Sequence, residues 1–500
     1  MSPSPSPLPS VGLSGLALYV PRPKVSLEDW CGWTGESWDK IAAVVGRSFR
    51  MPAPHESLYT MAANAVLRLI EQYDVDPRDV GFFALGTESS TDNAAGAVIV
   101  RGMVDRALEL RGKPRLSRAC EVPETKHACL GGIYAMKGAL RYLALDGRGR
   151  KAIVVAGDIA EYERGSSGEP TQGAGAVAML LEESPALLRV DLARGGSSSD
   201  FRVVDFRKPF ARHFAEGYAT RTERLADFPV FNGKYSTFCY QDAVVHAARA
   251  MFERQPAPAP HLFYEGLAAI FMHRPYHHMP QSGLTWMLVA ALAATPEGRT
   301  ALAPLATEIG VPLDGVVREL EGAPDLFERA MTRGAGGDPY PQASALVKAA
   351  RKLAPVERVL KQKMRLGAET MKDLGNLYTA ALPAWLAAGL EQAASEKALR
   401  AGDAILAVGY GSGDAAEVIP MSLAPDWERA AAKIGFATAL EGAVPLTREQ
   451  YERRHDGLPV VLDCTPEREF VVDRVGDRVS GDLQDVGIEY YRWVGAADAE

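Results

Sequence analysis

The 500-residue chain is 47% hydrophobic and 24% charged, the proportions of a globular protein that buries a sizeable core as two domains or one large duplicated one, and they exclude a disordered or fibrous chain. A net charge of −8 argues against a nucleic-acid-binding surface, while leaving room for a local basic patch that takes a phosphorylated ligand. Five cysteines, an odd number, suit a reducing compartment, and no apolar run approaches the roughly 18 residues of a membrane helix, so the expected location is the cytoplasm, with no membrane and no nucleic acid as partner.

The opening MSPSPSPLPS lacks a basic start and an apolar core, so residues 1–10 read as a mobile tail and not as a secretory signal. Val11 to Val20 reads as a strand stopped by Pro21 and Pro23, and Ser57 to Gln72 has helical periodicity. GFFALG, Gly81 to Gly86, is a buried strand that delivers a polar loop with Glu88 at its head. A helix from Ala94 to Arg111 leads toward KHACLGG, after which Ile133, Met136, Ala139, Leu140 and Leu143 recur at three- and four-residue steps. Lys151 to Gly157 is a further buried strand, expected to end on Asp158. After the glycine-rich stretch from Gly165, apolar content falls from Leu188 onward, and RGGSSSDFRVVDFRKP reads as a connection between two halves. Leu267 to Met272 is a strand ending on His273, residues 281–371 read as an inserted, solvated helical cover, and Ala404 to Tyr410 is a strand delivering Gly411 to Asp414. Alternating helices and strands predict an α/β architecture with ligand sites beyond the strand ends.

Cys129 stands where a helix begins. Free N–H groups and the positive end of the helix dipole are expected to favour a thiolate there, with the neighbouring glycines admitting a substrate carbonyl. Glu88 and His273 are further strand-end groups, with Asn376 and Ser412 as companions. Taken singly, each also fits an ordinary role: a small buried thiol, a solvated acid, a satisfied histidine, a helix cap.

Seven motifs bear on that choice. GTESSTDNA around Glu88, KHACLGG around Cys129, VVAGDIAEY from Val154, SGEPTQGAGAVAM from Ser167, MHRPY around His273, GNLYT from Gly375 and GYGSG from Gly409 together resemble, in order, the motifs of the 3-hydroxy-3-methylglutaryl-CoA synthase family, the SGEPTQGAGAVAM stretch being most similar to its bacterial branch. The resemblance implies a thiolase-like, five-layered αβαβα fold of two similar halves, 11–187 carrying Glu88 and Cys129 and 188–500 carrying His273 and the helical insertion of about 281–371. It also implies a homodimer. The implied reaction condenses acetyl-CoA with acetoacetyl-CoA and water through an acetyl-Cys129 intermediate, with no metal and no redox cofactor.

By the same resemblance Glu88 moves protons and His273 polarises the acetoacetyl group. Backbone N–H groups of Cys129 and Ser412 bind the thioester oxyanion, Asn376 and Tyr162 meet substrate, and Asp158 and Asp205 orient the others. His277 and His278 stand where the family commonly has a lysine that helps to hold CoA, and His278 is expected to take that role. Such an imidazole should lose its charge between about pH 6 and 7.5. The pathway implied is mevalonate and isoprenoid supply. The alternative enzyme is a β-branching synthase of polyketide biosynthesis whose acceptor rides on an acyl carrier protein, and the alternative of another class is a catalytically silent binding protein of the same fold.

Overall fold

The computed structural model describes residues 9–495 except 91, 209–227, 231, 256–259, 323, 335, 480 and 483. Long apolar runs form strands buried on both faces, because helices cover each side of the sheet they build. Val11–Tyr19 pairs antiparallel with Gly173–Glu183, which pairs antiparallel with Lys151–Ala160. That strand runs parallel to Val80–Gly86, which meets the two-residue Glu124–Thr125 at the sheet edge. In the other direction Leu188–Val190 links Val11–Tyr19 to Ala415–Leu423, and Ala404–Gly411 then pairs antiparallel with Ala415–Leu423 and parallel with Ala269–Met272.

The pairing repeats. In each half a strand, a helix, a parallel strand and an antiparallel strand follow in order: Val80–Gly86, Gly131–Ala144, Lys151–Ala160 and Gly173–Glu183, then Ala269–Met272, Ala381–Glu396, Ala404–Gly411 and Ala415–Leu423. Alternate residues of Lys151–Ala160 show how the layers form. Ile153 and Val155 face helices Leu58–Gln72 and Gly96–Leu110, whereas Ala152, Val154 and Ala156 join the larger core around Gly131–Ala144. Gly131–Ala144 and Ala381–Glu396 lie between the two sets of strands, and Gly233–Arg254 covers the far side of the second set. Helix, sheet, helix, sheet, helix is the thiolase-like layering.

Three expectations change. Asp158 lies inside its strand, which runs on to Ala160, because five neighbouring donors let a carboxylate sit in the sheet interior. The stretch after Leu188 is no plain connection, since Leu188–Val190 and Gly196–Ser199 both pair with Ala415–Leu423. Pro420 sits in that nine-residue strand, where its carbonyl accepts from Asp191 N–H. The insertion is no simple cover: Met279–Ala293 is buried along almost its whole length, and Leu302, Val316, Leu346 and Val359 of the helices after it join the main core. Residues 1–8 of the expected tail lie outside the described residues, and Ser10 is docked by accepting the Ser184 N–H.

Candidate active site

The first half delivers Glu88 and Cys129 to one point. Val80–Gly86 ends at Gly86, where an added Cβ would lie 2.3 Å from Gly132 Cα, so the strand end and the start of helix Gly131–Ala144 touch backbone to backbone. This contact brings the loop after the strand, with Glu88, against the segment before the helix, with Cys129. Cys129 Sγ donates to Glu88 Oε2 at 3.9 Å, and both residues are buried. Asp158 lies beneath them: its Oδ1 accepts from Thr87 Oγ1 (2.8 Å), Glu88 N–H (2.8 Å), Ser89 N–H (3.0 Å) and Ser89 Oγ (2.8 Å), and its Oδ2 from Thr379 N–H (3.0 Å). Asp158 therefore ties the Glu88 loop to the GNLYT segment of the second half.

Burial sets the protonation states. It pushes the Glu88 carboxyl up to about 8, with the Asp158 charge adding to the rise and Lys208 and Lys126 opposing it. Asp158 is itself pushed up to about 6 by burial, against the pull of its donors. The Cys129 thiol is driven well above its ordinary value by burial first, then by the charges of Glu88, Asp158 and Asp205. A thiolate stabilised by the helix start is thus not the resting state. The helix-start donors are already engaged, since Gly132 N–H donates to Thr379 Oγ1 and Gly131 N–H reaches Ala128 C=O. Nor do these glycines admit a substrate carbonyl: a Cβ on Gly132 would press on Ala156 and Thr379.

Around the thiol pack Tyr162, Tyr378, Ala160 and Phe206. Tyr162 and Tyr378 meet edge to face at 6.3 Å, and Phe206 closes the aromatic wall at 6.0 and 5.8 Å from them. Ala128, Phe206 and Tyr378, none of them glycine, hold left-handed backbone with φ of 39°, 40° and 44°. Such conformations cost about 1–3 kcal/mol each and persist where surrounding contacts force them, as at functional sites. Asn376 is held by the same segment, its N–H donating to Thr171 C=O and its Oδ1 accepting the Tyr378 N–H at 2.9 Å.

The second half contributes His273 and the Ser412 loop. His273 follows Ala269–Met272, its N–H donating to Val408 C=O at 2.7 Å, and its carbonyl accepts from Tyr240 Oη. Its ring is buried beside Tyr410, Nδ1 has no partner among the described residues, and burial lowers the imidazole to about 3, so it is neutral. Among the described residues no hydrogen bond joins it to Glu88 or Cys129. Asp205 accepts from Tyr410 Oη (2.9 Å) and Gly413 N–H (3.1 Å), which fixes the loop bearing Ser412. Arg202 fixes it a second time: its N–H donates to Gly413 C=O, and its guanidinium pairs with Asp200, Asp242 and Asp414.

Glu88, Ala128 and Ser412 share a cavity of about 440 Å³ with Phe206, and Lys126, His127, Arg207 and Lys208 line it as well. This basic lining escaped the sequence reading because its members fall in two loops, Lys126–His127 and Arg207–Lys208, far apart in the chain. Tyr378 also escaped it, although it belongs to GNLYT. His278 is not brought to this cavity. It begins helix Met279–Ala293, with its N–H on Val44 C=O and its Nε2 against Arg351 Nη1 at 2.5 Å. Burial and Arg351 lower the His278 imidazole, and burial with Arg274 lowers His277 to about 4, so both shift to the acid side and His277 falls below the expected window of about 6 to 7.5. Among the described residues no group of three or more His, Cys, Asp or Glu side chains could hold a metal ion, and no helix is long and apolar enough to cross a membrane.

Known proteins resemble this chain in sequence and in fold. The family model for the N-terminal part of hydroxymethylglutaryl-coenzyme A synthase matches residues 8–185. Hydroxymethylglutaryl-CoA synthase A of Dictyostelium discoideum is 30% identical over 285 residues, covering 56% of this chain and 54% of the relative. Hydroxymethylglutaryl-CoA synthase of Haloferax volcanii is 33% identical over 204 residues, 40% of this chain and 44% of the relative. The chain thus spans about half the length of the curated relatives it matches. Over nearly the whole chain, the solved structure of MvaS in complex with 3-hydroxy-3-methylglutaryl coenzyme A superposes with a TM-score of 0.71 at 27% identity, covering 97% of this chain and 99% of that one. Residues 8–185, which carry the Glu88–Cys129 pair, thus match the N-terminal part of the hydroxymethylglutaryl-CoA synthase family, and over nearly its whole length the chain shares the thiolase-like fold of that solved structure.

Proposed function

We propose that this chain is a hydroxymethylglutaryl-CoA synthase, an acyltransferase that joins the methyl carbon of an enzyme-bound acetyl group to the ketone of acetoacetyl-CoA. The observation that carries the reading is the 3.9 Å approach of Cys129 Sγ to a Glu88 carboxyl whose pKa lies close to the working range, below a basic cavity. Cys129 sulfur attacks the acetyl carbonyl, the bond to CoA sulfur breaks, and the thiol proton ends on the released CoA. Ionised Glu88 then takes a proton from the acetyl methyl group, and the resulting enolate carbon bonds to the acetoacetyl ketone. The same carboxyl, now protonated, is placed to return a proton to the new alkoxide. Water finally cleaves the enzyme thioester and frees 3-hydroxy-3-methylglutaryl-CoA with Cys129 restored as a thiol.

Neutral His273 suits a hydrogen bond to the acetoacetyl oxygen, because an imidazole that stays uncharged donates without giving up its proton. Ser412 and Cys129 N–H groups serve the thioester oxyanion, with Arg202 and Asp205 holding the Ser412 loop in register. Asn376 and Tyr162 border the acyl group, and no metal or redox cofactor takes part. The reading includes a cytoplasmic homodimer. Incubation with labelled acetyl-CoA, followed by acetoacetyl-CoA or an acetoacetyl carrier protein, is the test: labelled product from acetoacetyl-CoA supports the proposal, strong preference for the carrier protein moves the chain to polyketide branching, and no label on the protein points to a silent binding protein.

A further inference from the structure

A second cavity, of about 540 Å³, lies between helices Gly233–Arg254, Met279–Ala293 and Pro341–Ala350, away from the cavity that holds Glu88. Lys234, Lys348 and Arg351 line it, against a single carboxylate, Asp338. Arg351 is half-buried, and burial lowers its guanidinium from the ordinary value. No carboxylate pairs with it among the described residues. Its one hydrogen-bond partner is His278 Nε2, a neutral acceptor. Lys348 precedes Arg351 by three residues, one helical turn, so both cations reach the same side of the helix end. Phe238, Trp286 and Val347 form its apolar wall, and two uncharged polar groups face it with unpaired oxygens. Gln241, 5% exposed, donates through Nε2 to Ser282 Oγ while its Oε1 has no partner, and Ser344 Oγ is buried without one. A half-buried guanidinium with no counter-ion, two lysines and unpaired polar atoms in one concavity form an incomplete anion site.

We propose that this cavity binds a phosphate ester or diphosphate, with Arg351 as its forked donor and Lys348 and Lys234 as flanking charges. Guanidinium geometry matches two phosphate oxygens at once, whereas the lysines act as point charges that tolerate a longer ligand. Ser344 Oγ donates to a further oxygen. Gln241 Oε1, an acceptor, suits an N–H or O–H on the organic part of such a ligand. The chemistry fits two sources: the phosphorylated head of a CoA thioester, an assignment that rests on the proposed function, or a free inorganic anion acting on the helix that starts at His278.

Calorimetric titration of the full chain with sodium pyrophosphate at low salt reads the site without any turnover. Arg351→Gln and Lys348→Glu should each weaken binding, by about tenfold or more for Arg351→Gln, the scale of one charge-assisted hydrogen bond, with thermal denaturation checking that both variants fold. Equal affinity in wild type and both variants, or no binding to wild type, overturns the proposal. Steady-state KM for acetyl-CoA and for acetyl-pantetheine, which lacks the phosphates, then separates the sources. A rise confined to acetyl-CoA assigns the anion to the substrate, and unchanged KM for both, with pyrophosphate binding lost, assigns it to a free anion. Failure of Cys129 to accept acetyl from any thioester would sink the proposed function while leaving the pyrophosphate result intact.

Discussion

Replacing Glu88 by Gln tests the centre of the site through two independent readouts. The folded protein holds the Glu88 carboxyl at about 8 in place of the ordinary 4.5, chiefly by burial. Because the folded value is raised, the native state keeps a proton that the unfolded chain has released. The carboxyl's contribution to stability is therefore complete below about pH 4.5 and is lost as pH climbs toward 8. Each pH unit inside that window costs about 1.4 kcal/mol for a single group, so between pH 6 and 8 the wild type should lose on the order of 2–3 kcal/mol that Glu88→Gln, having nothing to ionise, keeps. Asp158 titrates lower and is present in both proteins. Urea denaturation at pH 6 and pH 8 reads the difference.

Kinetically, the variant should still form acetyl-Cys129, since removing the Glu88 charge relieves one of the forces that hold the thiol protonated. Condensation should fall by about 10²–10⁴, the usual worth of a positioned general acid or base. Mass spectrometry for the acetyl adduct and chromatography of the product separate the two steps. Undiminished condensation, or an identical loss of stability with pH in both proteins, refutes the assignment.

Cys129→Ser should fold normally and carry no acetyl group after incubation with acetyl-CoA, because a hydroxyl in the same buried setting is far less acidic than a thiol. Acetyl recovered on Cys31, Cys120, Cys239 or Cys464 in mass spectra would displace Cys129 as the carrier. His278→Lys should lose about 1–2 kcal/mol in urea denaturation, since it sets an ammonium against the Arg351 guanidinium, whereas His278→Gln keeps an acceptor and should stay within about 1 kcal/mol of wild type. Arg202→Met should cost about 3–5 kcal/mol by leaving Asp242 and Asp414 buried without their cation, and Tyr340→Phe, which removes only the hydroxyl donated to Asp242, about 1 kcal/mol. Equal losses for those two variants would mean that Arg202 acts by packing and not by charge.

What was legible in the sequence follows how far each signal reaches along the chain. Val80–Gly86 and Ala404–Gly411 announced themselves because strands covered on both faces are continuously apolar, and the helix after Cys129 because its apolar steps are local. Asp158 misled for the opposite reason. A polar residue closing an apolar run looks like a strand end, and only donors from Thr87, Ser89 and Thr379, distant in sequence, explain why the strand continues through it. The state of His278 was equally hidden, since Arg351 stands 73 residues away. Motif order carried Glu88, Cys129 and His273 as a set, yet spacing could not say that burial would leave the thiol and the imidazole uncharged.

The insertion is where local reading fell furthest short, and the cause is again a chain of distant contacts. Alanine-rich helices broken by ATPEG and GAGGDPYPQ look like a cover because nothing in their own composition points inward. Tyr340, at the start of Pro341–Ala350, donates to Asp242; Asp242 pairs with Arg202 at 2.6 Å; and Arg202 holds Gly413 C=O and faces Asp414. Each link is buried, so slackening one leaves a charge or donor unpaired instead of exposing it to water, and the loop bearing Ser412 can shift only if the insertion shifts with it. A segment that adds no acid, base or nucleophile to the pocket thereby sets the position of the Ser412 backbone N–H, the group to which the proposed function assigns the thioester oxyanion.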